Sequence, residues 1–397
     1  MQPFQRYFVI VLDSAGIGAM DDAYKFQDEG TNTWKHIAEK MGGLHVPSMN
    51  ALGIGELDEI LGTSIVSHPH SYCLRLNEKS AGKDTMTGHW EMMGIETTKP
   101  FMTFTDTGFP KELMDELERR TGHSLIGNIA SSGTEILKVL GEQQMKENSL
   151  IIYTSADSVL QIAAHEEVTG VEELYRCCAI ARELCMDPRY KVGRVIARPF
   201  VGTNAENFKR TPNRHDYALS PSEDTVMDVL KDHGYDTICI GKISDIFNGK
   251  GVTERLKTVS NEDGMNQTIE VAKSRDFKGL CFINLVEFDS EYGHRRNPLG
   301  YGKALEAFDR QLEELLPYIQ ENDCLMITAD HGNDPTWKGT DHTRERVPLL
   351  IYSPKFQHGR KLDDAECFGD IGATILDNFH LEKPSHLIGT SLKKILL

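Results

Sequence analysis

The sequence predicts an α/β protein, a mostly parallel central sheet flanked by helices, with a separate α+β unit inserted into it. Two observations predict this. Short apolar, β-branched runs alternate with segments whose apolar positions recur every three or four residues. Residues from about 100 to 215 then carry a helix–strand–helix–strand series of their own, enough for a compact unit.

In chain order, Phe8–Leu12 reads as the first strand. Its run Tyr7-Phe8-Val9-Ile10-Val11-Leu12 stops at Asp13, with no basic leader and no small-residue cleavage site, unlike a signal peptide. Thr97–Pro100 is a candidate linker into the middle segment. There Lys111–Thr121 has helical spacing, Leu150–Thr154 reads as a strand, Val171–Cys185 as a helix and Val192–Phe200 as strand-like. Arg210–His215, with Thr211-Pro212-Asn213, is a candidate linker out. Ser222–His233 follows as a helix, with Ser222, Asp224 and Thr225 as its capping region. Thr237–Gly241 is a strand, Met265–Ser274 a helix, Leu280–Val286 a strand and Tyr301–Gln320 a helix. Cys324–Thr328 and Val347–Tyr352 are the last strands. The expected domains are a core of 1–99 and 216–397 and an insert of 100–215.

Composition narrows the function. The 397 residues carry 60 Asp+Glu against 43 Lys+Arg, a net charge of −17, and 39% of residues are hydrophobic. That is too apolar for a disordered chain, and no stretch approaches the roughly 18 consecutive apolar residues of a membrane span. The negative surplus repels nucleic acid and anionic membranes, so neither is an expected partner. It also opposes small anionic substrates unless cations or a local basic patch intervene. The 8 cysteines contain no C-x-x-C pair and read as reduced core thiols of a cytoplasmic protein.

The chemistry concentrates at strand ends. Leu325-Met326-Ile327-Thr328 runs into Ala329-Asp330-His331-Gly332-Asn333, which places a carboxylate and an imidazole at the sheet edge where open α/β folds bind ligands. Phe282–Phe288 ends in Asp289, with His294 close behind in Tyr292-Gly293-His294. The first strand ends at Asp13, and His342 lies in the loop before Val347–Tyr352. Single acids or histidines in such places are usually caps or surface residues. Together they form a metal-ligand set of carboxylates and imidazoles without thiolate, suited to Mn, Mg, Fe or Zn at hydrolytic or phosphoryl-transfer centres. Six ligands exceed one tetrahedral ion, so two ions are expected.

A second segment, Ala81-Gly82-Lys83-Asp84-Thr85-Met86-Thr87-Gly88-His89-Trp90-Glu91, brackets hydroxyls with glycines ahead of helix-like sequence. A hydroxyl at such a turn is exposed, and neighbouring backbone N–H groups can receive an anion. Near a metal it becomes a nucleophile. Spacing does not choose between Thr85 and Thr87. Gly16-Ile17-Gly18 and Gly53-Ile54-Gly55 lack a third glycine, so no dinucleotide site is supported.

Asp13, Asp84-Thr85, Asp289 with His294, Asp330-His331 and His342 occur in the order seen in the alkaline phosphatase superfamily. With Lys83–Glu91, Tyr153-Thr154-Ser155-Ala156-Asp157-Ser158 and Tyr292-Gly293-His294-Arg295-Arg296, the chain resembles the bacterial phosphopentomutase family over its whole length. The resemblance implies an alkaline-phosphatase-like core with residues from about 100 to 215 as a cap for sugar-phosphate binding. It implies that Thr85 carries the phosphoryl group. Asp13, Asp330 and His331, completed by Thr85, would hold one metal ion, and Asp289, His294 and His342 the other. It further implies two Mn²⁺ ions, pentose phosphates as substrates and glucose 1,6-bisphosphate or a pentose bisphosphate as activator.

The phosphate that is not transferred needs a receptor. Arg189–Arg214 holds Arg189, Lys191, Arg194, Arg198, Lys209, Arg210 and Arg214 against Glu206, a local +6 in a chain at −17. Arg194, Arg198 and Arg210 are the candidates, as bidentate phosphate partners. Ser155 and Asp157 are candidates for sugar hydroxyls, and Lys242 for a phosphate approached from the core. A metallophosphatase, a cofactor-independent phosphoglycerate mutase and a non-catalytic sugar-phosphate sensor are the competing readings. The chain length and Thr85 in place of a serine disfavour the second, and the full ligand set disfavours the third. Oligomeric state is left open by the sequence, which is compatible with a monomer.

Overall fold

The computed structural model describes residues 4–155 and 158–396. In chain order the strands are β1 (Arg6–Leu12), β2 (Ser71–Leu76), β3 (Leu125–Ala130), β4 (Leu150–Thr154), β5 (Val159–His165), β6 (Arg194–Val201), β7 (Lys209–Arg210), β8 (His215–Ala218), β9 (Asp236–Ile240), β10 (Glu254–Leu256), β11 (Gly279–Leu285), β12 (Asp323–Thr328) and β13 (Val347–Tyr352). The chain divides into two units, Met1–Pro100 with Ser220–Leu397, and Phe101–Leu219. The second therefore closes at Leu219 and not at 215, because β8 pairs with β6. Arg210–His215 is accordingly a connection inside that unit, between β7 and β8, and not a linker out of it.

The first unit is built on a seven-stranded sheet of order β10-β9-β11-β1-β12-β13-β2. Pairings from β10 to β12 are parallel, while β13 and β2 are antiparallel. The mostly parallel sheet expected from the sequence is thus present. β1, β11 and β12 are buried along their whole length, as apolar strands covered on both faces must be.

Register sets the function of this sheet. Leu12 lies opposite Leu285, and Val11 opposite Thr328. The residues after β1, β11 and β12 therefore leave the sheet at one edge. β13 runs back from that same edge, with Thr328 paired to Leu349, so the whole connection 329–346 stays there.

Arg6 holds the opposite end of the sheet. Its guanidinium donates to Asp323 Oδ1 and Oδ2 at 2.8 and 2.6 Å, joining the starts of β1 and β12. Both side chains are buried, at 7% and 2% exposure. The helix expected over Ser222–His233 is shorter, Val226–Asp232, because Thr225 and Asp228 form a capping box and Ser222 lies outside it. The helix expected at Tyr301 begins at Pro298, where Asn297 caps it.

The second unit has its own sheet, of order β3-β4-β5-β6-β7 with β8 also on β6. Strand alternation sorts its side chains. Leu150, Ile152, Leu160, Ile162, Val195 and Ala197 face one apolar cluster, packed with Leu113, Leu117, Leu174 and Cys178 of helices Lys111–Thr121 and Val171–Leu184. Ile151, Tyr153, Ala163 and Phe200 face the other, with Ile136 and Leu137 of helix Gly133–Glu147. Among the described residues no helix is long and apolar enough to cross a membrane.

Arg6→Ala leaves Asp323 buried without its guanidinium, and removing one partner of a buried pair costs about 3–5 kcal/mol. The expected outcome is a loss of about that size in urea unfolding.

Candidate metal centre

Each acid of the predicted set ends or follows a strand at the shared edge. Asp13 follows β1, Asp330 lies two residues beyond β12, and Asp289 sits in a π-helical turn, Phe288–Gly293, after β11. Such wide turns break helical regularity and often mark functional sites. His294 closes that turn, and His331 and His342 belong to the 329–346 connection.

These residues converge as two trios: Asp13, Asp330 and His331, and Asp289, His294 and His342. In the first, His331 Nε2 lies 3.6 Å from Asp13 Oδ1 and 3.4 Å from Asp330 Oδ2. Its Nδ1 is 3.0 Å from the Gly332 carbonyl, which fixes the ring with Nε2 toward the acids. In the second, Asp289 Oδ2 faces His294 Nε2 at 3.0 Å and His342 Nε2 at 3.6 Å. His294 Nδ1 meets the Thr340 carbonyl at 2.7 Å, so its Nε2 also points inward. The His331 and His342 rings are 4.0 Å apart, and the two trios adjoin.

The donor set fits divalent cations. Asp13 Oδ1 and Asp330 Oδ2 are buried without a hydrogen-bond partner, which is costly unless a cation takes them. Among protein groups alone, burial together with Asp330 and Asp289 pushes Asp13 up to about 7. Burial would lower His331, but Asp330, Asp289 and Asp13 raise it to about 9. Burial would raise Asp289, yet His342 and His294 hold it well below the usual carboxylate range. The nearest positive charges, imidazolium protons, only partly offset three buried acids, whereas divalent ions match them.

Thr85 belongs to the first trio. It opens helix Thr85–Met92, and its Oγ1 is 3.2 Å from His331 Nε2. Thr87 does not share that position: its Oγ1 donates to Asp84 Oδ2 at 2.6 Å and it is buried. Asp84 also accepts from the backbone N–H groups of Met86 and Thr87, both at 3.1 Å. Those amides, expected from the sequence to receive an anion, are therefore already capped.

Several positioning residues escaped the sequence reading. Asn284, inside β11, donates to Asp13 Oδ2 at 3.0 Å and lies 3.3 Å from His89 Nε2. His89 Nδ1 in turn meets the Thr85 carbonyl at 2.8 Å and lies 3.3 Å from Asp330 Oδ2. Asn333 donates to Asp289 Oδ1 at 2.7 Å. Arg296 ties the π turn to the His342 loop by donating to Asn333 Oδ1 at 2.5 Å and to the Asp341 carbonyl at 2.9 Å. The detectable signal was a polar Asn284 within the otherwise apolar Phe282–Leu285.

The remaining candidates are placed as follows. Lys242 caps the short helix Ile243–Ile246 after β9, and its charge lowers Asp13. Ser155 follows β4, and its carbonyl accepts from Thr105 at 2.8 Å. Asp157 lies outside the described residues. Arg198 shares the β4–β6 face with Tyr153, and its Nε donates to Gln161 Oε1 at 2.9 Å. Arg198, Arg210 and Arg214 all act on Tyr153, whose buried hydroxyl has no hydrogen-bond partner. Burial, then the neighbouring Arg214 and Arg210, lower Arg198. Arg194 stands 3.8 Å from Asp216, which Arg214 grips at 2.6 Å. Arg189 likewise pairs with Asp187 at 2.7 Å. The local +6 was overstated, because its window ended just short of these two acids.

The chain matches the family model of the Metalloenzyme superfamily over residues 5–383. A protein from Clostridium botulinum (strain Alaska E43 / Type E3) named phosphopentomutase is 54% identical over 397 residues, covering 100% of both chains. Another so named, from Clostridium perfringens (strain SM101 / Type A), is 55% identical over 392 residues and 99% of each chain. Among solved structures, phosphoglycerate mutase of Leishmania mexicana aligns over 98% of each chain, with 14% identity and a TM-score of 0.49.

Gly88 lets helix Thr85–Met92 rest on the Asp330 loop: a Cβ there would lie 2.1 Å from the Asp330 carbonyl oxygen. Gly88→Ala removes no member of the trio but displaces Asp330. The expected outcome is a fall in divalent-metal affinity of about 10-fold or more, measured by chelator competition.

Proposed function

The chain belongs to the phosphopentomutase family of the metalloenzyme superfamily, and from that premise we propose that it interconverts ribose 1-phosphate and ribose 5-phosphate, and the 2-deoxyribose phosphates, through a phosphorylated Thr85. The observation that carries this reading is the Thr85 hydroxyl at a helix start, 3.2 Å from His331 Nε2 of the first trio.

Two divalent ions, Mn²⁺ in this reading, would be held by Asp13, Asp330, His331 and Thr85 and by Asp289, His294 and His342, and would supply positive charge to the phosphoryl oxygens. The chain's own residues do the rest. Asp84 caps the helix and, by occupying Thr87, leaves Thr85 Oγ1 as the hydroxyl that meets the trio. His89 and Asn284 connect Thr85, Asp13 and Asp330, so nucleophile and ligands keep one geometry.

In the forward half-reaction the phosphothreonine Oγ1–P bond breaks as a sugar hydroxyl oxygen bonds to phosphorus. The proton of that hydroxyl passes, in net terms, to the departing Thr85 Oγ1, and a pentose bisphosphate and a free Thr85 hydroxyl result. In the second half-reaction the other phosphoryl group passes to Thr85 Oγ1 and its sugar oxygen is protonated. Splitting the exchange this way replaces one difficult transfer with two easier ones. Glucose 1,6-bisphosphate or a pentose bisphosphate would load Thr85 initially.

We assign the phosphate that stays on the sugar to Arg194, Arg198 and Arg210, with Ser155 and Asp157 for its hydroxyls and Lys242 for a phosphate near the core. The cap role of residues 100–215 rests on the same assignment. It is supported by the charges of Arg198, Arg210 and Arg214, all of which act on the buried Tyr153 hydroxyl. Planar guanidiniums bind phosphate oxygens in pairs.

After incubation with glucose 1,6-bisphosphate, peptide mass spectrometry should place one phosphate on Thr85. Thr85→Ala should retain metal yet lose mutase activity on the order of 10³-fold or more. Wild-type interconversion by that variant would overturn the mechanism, and release of free phosphate in place of the isomer would make the enzyme a phosphatase. Arg198→Ala and Arg210→Ala should each raise KM about 10-fold, the worth of one charged hydrogen bond. Unchanged KM in both would discard the receptor.

A further inference from the structure

A third trio lies apart from the metal centre, at the β2 edge of the sheet. Glu56, His68 and Cys73 each bring one donor atom within 4.8 Å of the others. His68 Nε2 stands 3.2 Å from Glu56 Oε1 and 3.9 Å from Cys73 Sγ. We propose that this trio is a zinc site, taking Zn²⁺ or a similar thiophilic divalent cation through Glu56 Oε1, His68 Nε2 and the Cys73 thiolate.

Geometry carries it. With Zn–N and Zn–O near 2.0 Å and Zn–S near 2.3 Å, a tetrahedral ion sets N···O at about 3.3 Å and N···S at about 3.6 Å. The observed 3.2 and 3.9 Å are close to both. His68 Nδ1 meets the Ser71 carbonyl at 2.9 Å and so keeps its hydrogen there. Nε2 is then the ring nitrogen turned to the Glu56 carboxylate, at a separation that a shared cation would bridge.

Gly53 keeps the pocket open, since a Cβ there would lie 2.9 Å from both Cys73 Sγ and His68 Nε2. The His68 and Glu56 side chains are 2% and 21% exposed, so solvent reaches from the Glu56 side to complete four ligands. Lys361 is a charged neighbour, and its Nζ donates to the Glu56 backbone carbonyl at 2.8 Å. The other Cys-containing trio, His123, Glu173 and Cys177, does not qualify, because Arg176 already neutralises Glu173 at 2.6 Å. On binding, the Cys73 Sγ proton passes to solvent and the sulfur pair binds the ion. The ion would tie the Glu56 turn and His68 to β2, closing the connection between them.

The test uses Co²⁺ added to the full-length, metal-stripped chain. The two trios of the candidate metal centre contain no sulfur, so a thiolate-to-cobalt charge-transfer band in the near ultraviolet that depends on Cys73 reports this site. The expected result is that band in the wild type and its loss in Cys73→Ser, with mutase activity retained. Should Cys73→Ser fail to fold, Glu56→Gln serves: the band remains, but half-saturation needs about 10-fold more cobalt. No band when cobalt fills the dinuclear centre would overturn the proposal, as would a band that survives Cys73→Ser. A proton alone would then hold His68 to Glu56.

Discussion

Three aspartates, Asp13, Asp289 and Asp330, are buried within a few ångströms of each other's partners at one edge of a parallel sheet. Removing three like charges from water together is costly. The surrounding structure is organised to meet that cost. His331 and His342 stack between the acids, and Asn284 and Asn333 each donate to one carboxylate oxygen. The ligand-facing oxygens of Asp13 and Asp330 are left without a partner. A site that protein groups leave incomplete in this way is preorganised for cations, which need displace only protons when they bind.

The second unit handles charge differently. Its sheet sorts residues by strand alternation, so Arg198 and Tyr153 reach the same face as an apolar cluster while remaining within the influence of Arg210 and Arg214. Asp216 and Asp187 pin the outer arginines Arg214 and Arg189. The net charge of −17 therefore says little about either place. Charge acts over a Debye length of about 10 Å, so local grouping outweighs the total.

Much of this was legible in the residues. The seven strand runs named from sequence became β1, β4, β6, β9, β11, β12 and β13 with ends displaced by at most two residues. Apolar runs ending in acids pointed to the edge where the trios form. What stayed hidden has physical reasons. Ser71–Leu76 reads Ser-Tyr-Cys-Leu-Arg-Leu, too polar for an apolar-run search, and takes its place only through pairing with β13. Helix Gly133–Glu147 opens on Ser-Ser-Gly-Thr, which reads as a turn until Ser132 caps it by accepting from the Glu135 N–H. Thr85 and Thr87 are equivalent by spacing, and only the Asp84 cap separates them. Arg296 reaches Asn333 and Asp341, and His89 reaches Asn284 and Asp330, all distant in sequence, and no local pattern marks such partners.

The position of β1 also governs how the chain must be made. Its two neighbours, β11 and β12, are encoded after Gly279, so the first strand to leave the ribosome has no partner on either side until about three-quarters of the protein exists. Phe101–Leu219, by contrast, is one continuous stretch with its own core and sheet, so every strand partner it needs is made while the first strand is still waiting. During synthesis the nascent chain thus carries an apolar, unpaired strand beside a finished domain, the kind of segment that aggregates or engages chaperones. Slow or interrupted translation past residue 279 would prolong that exposure, whereas truncation after the insert would leave a folded domain attached to an orphan strand.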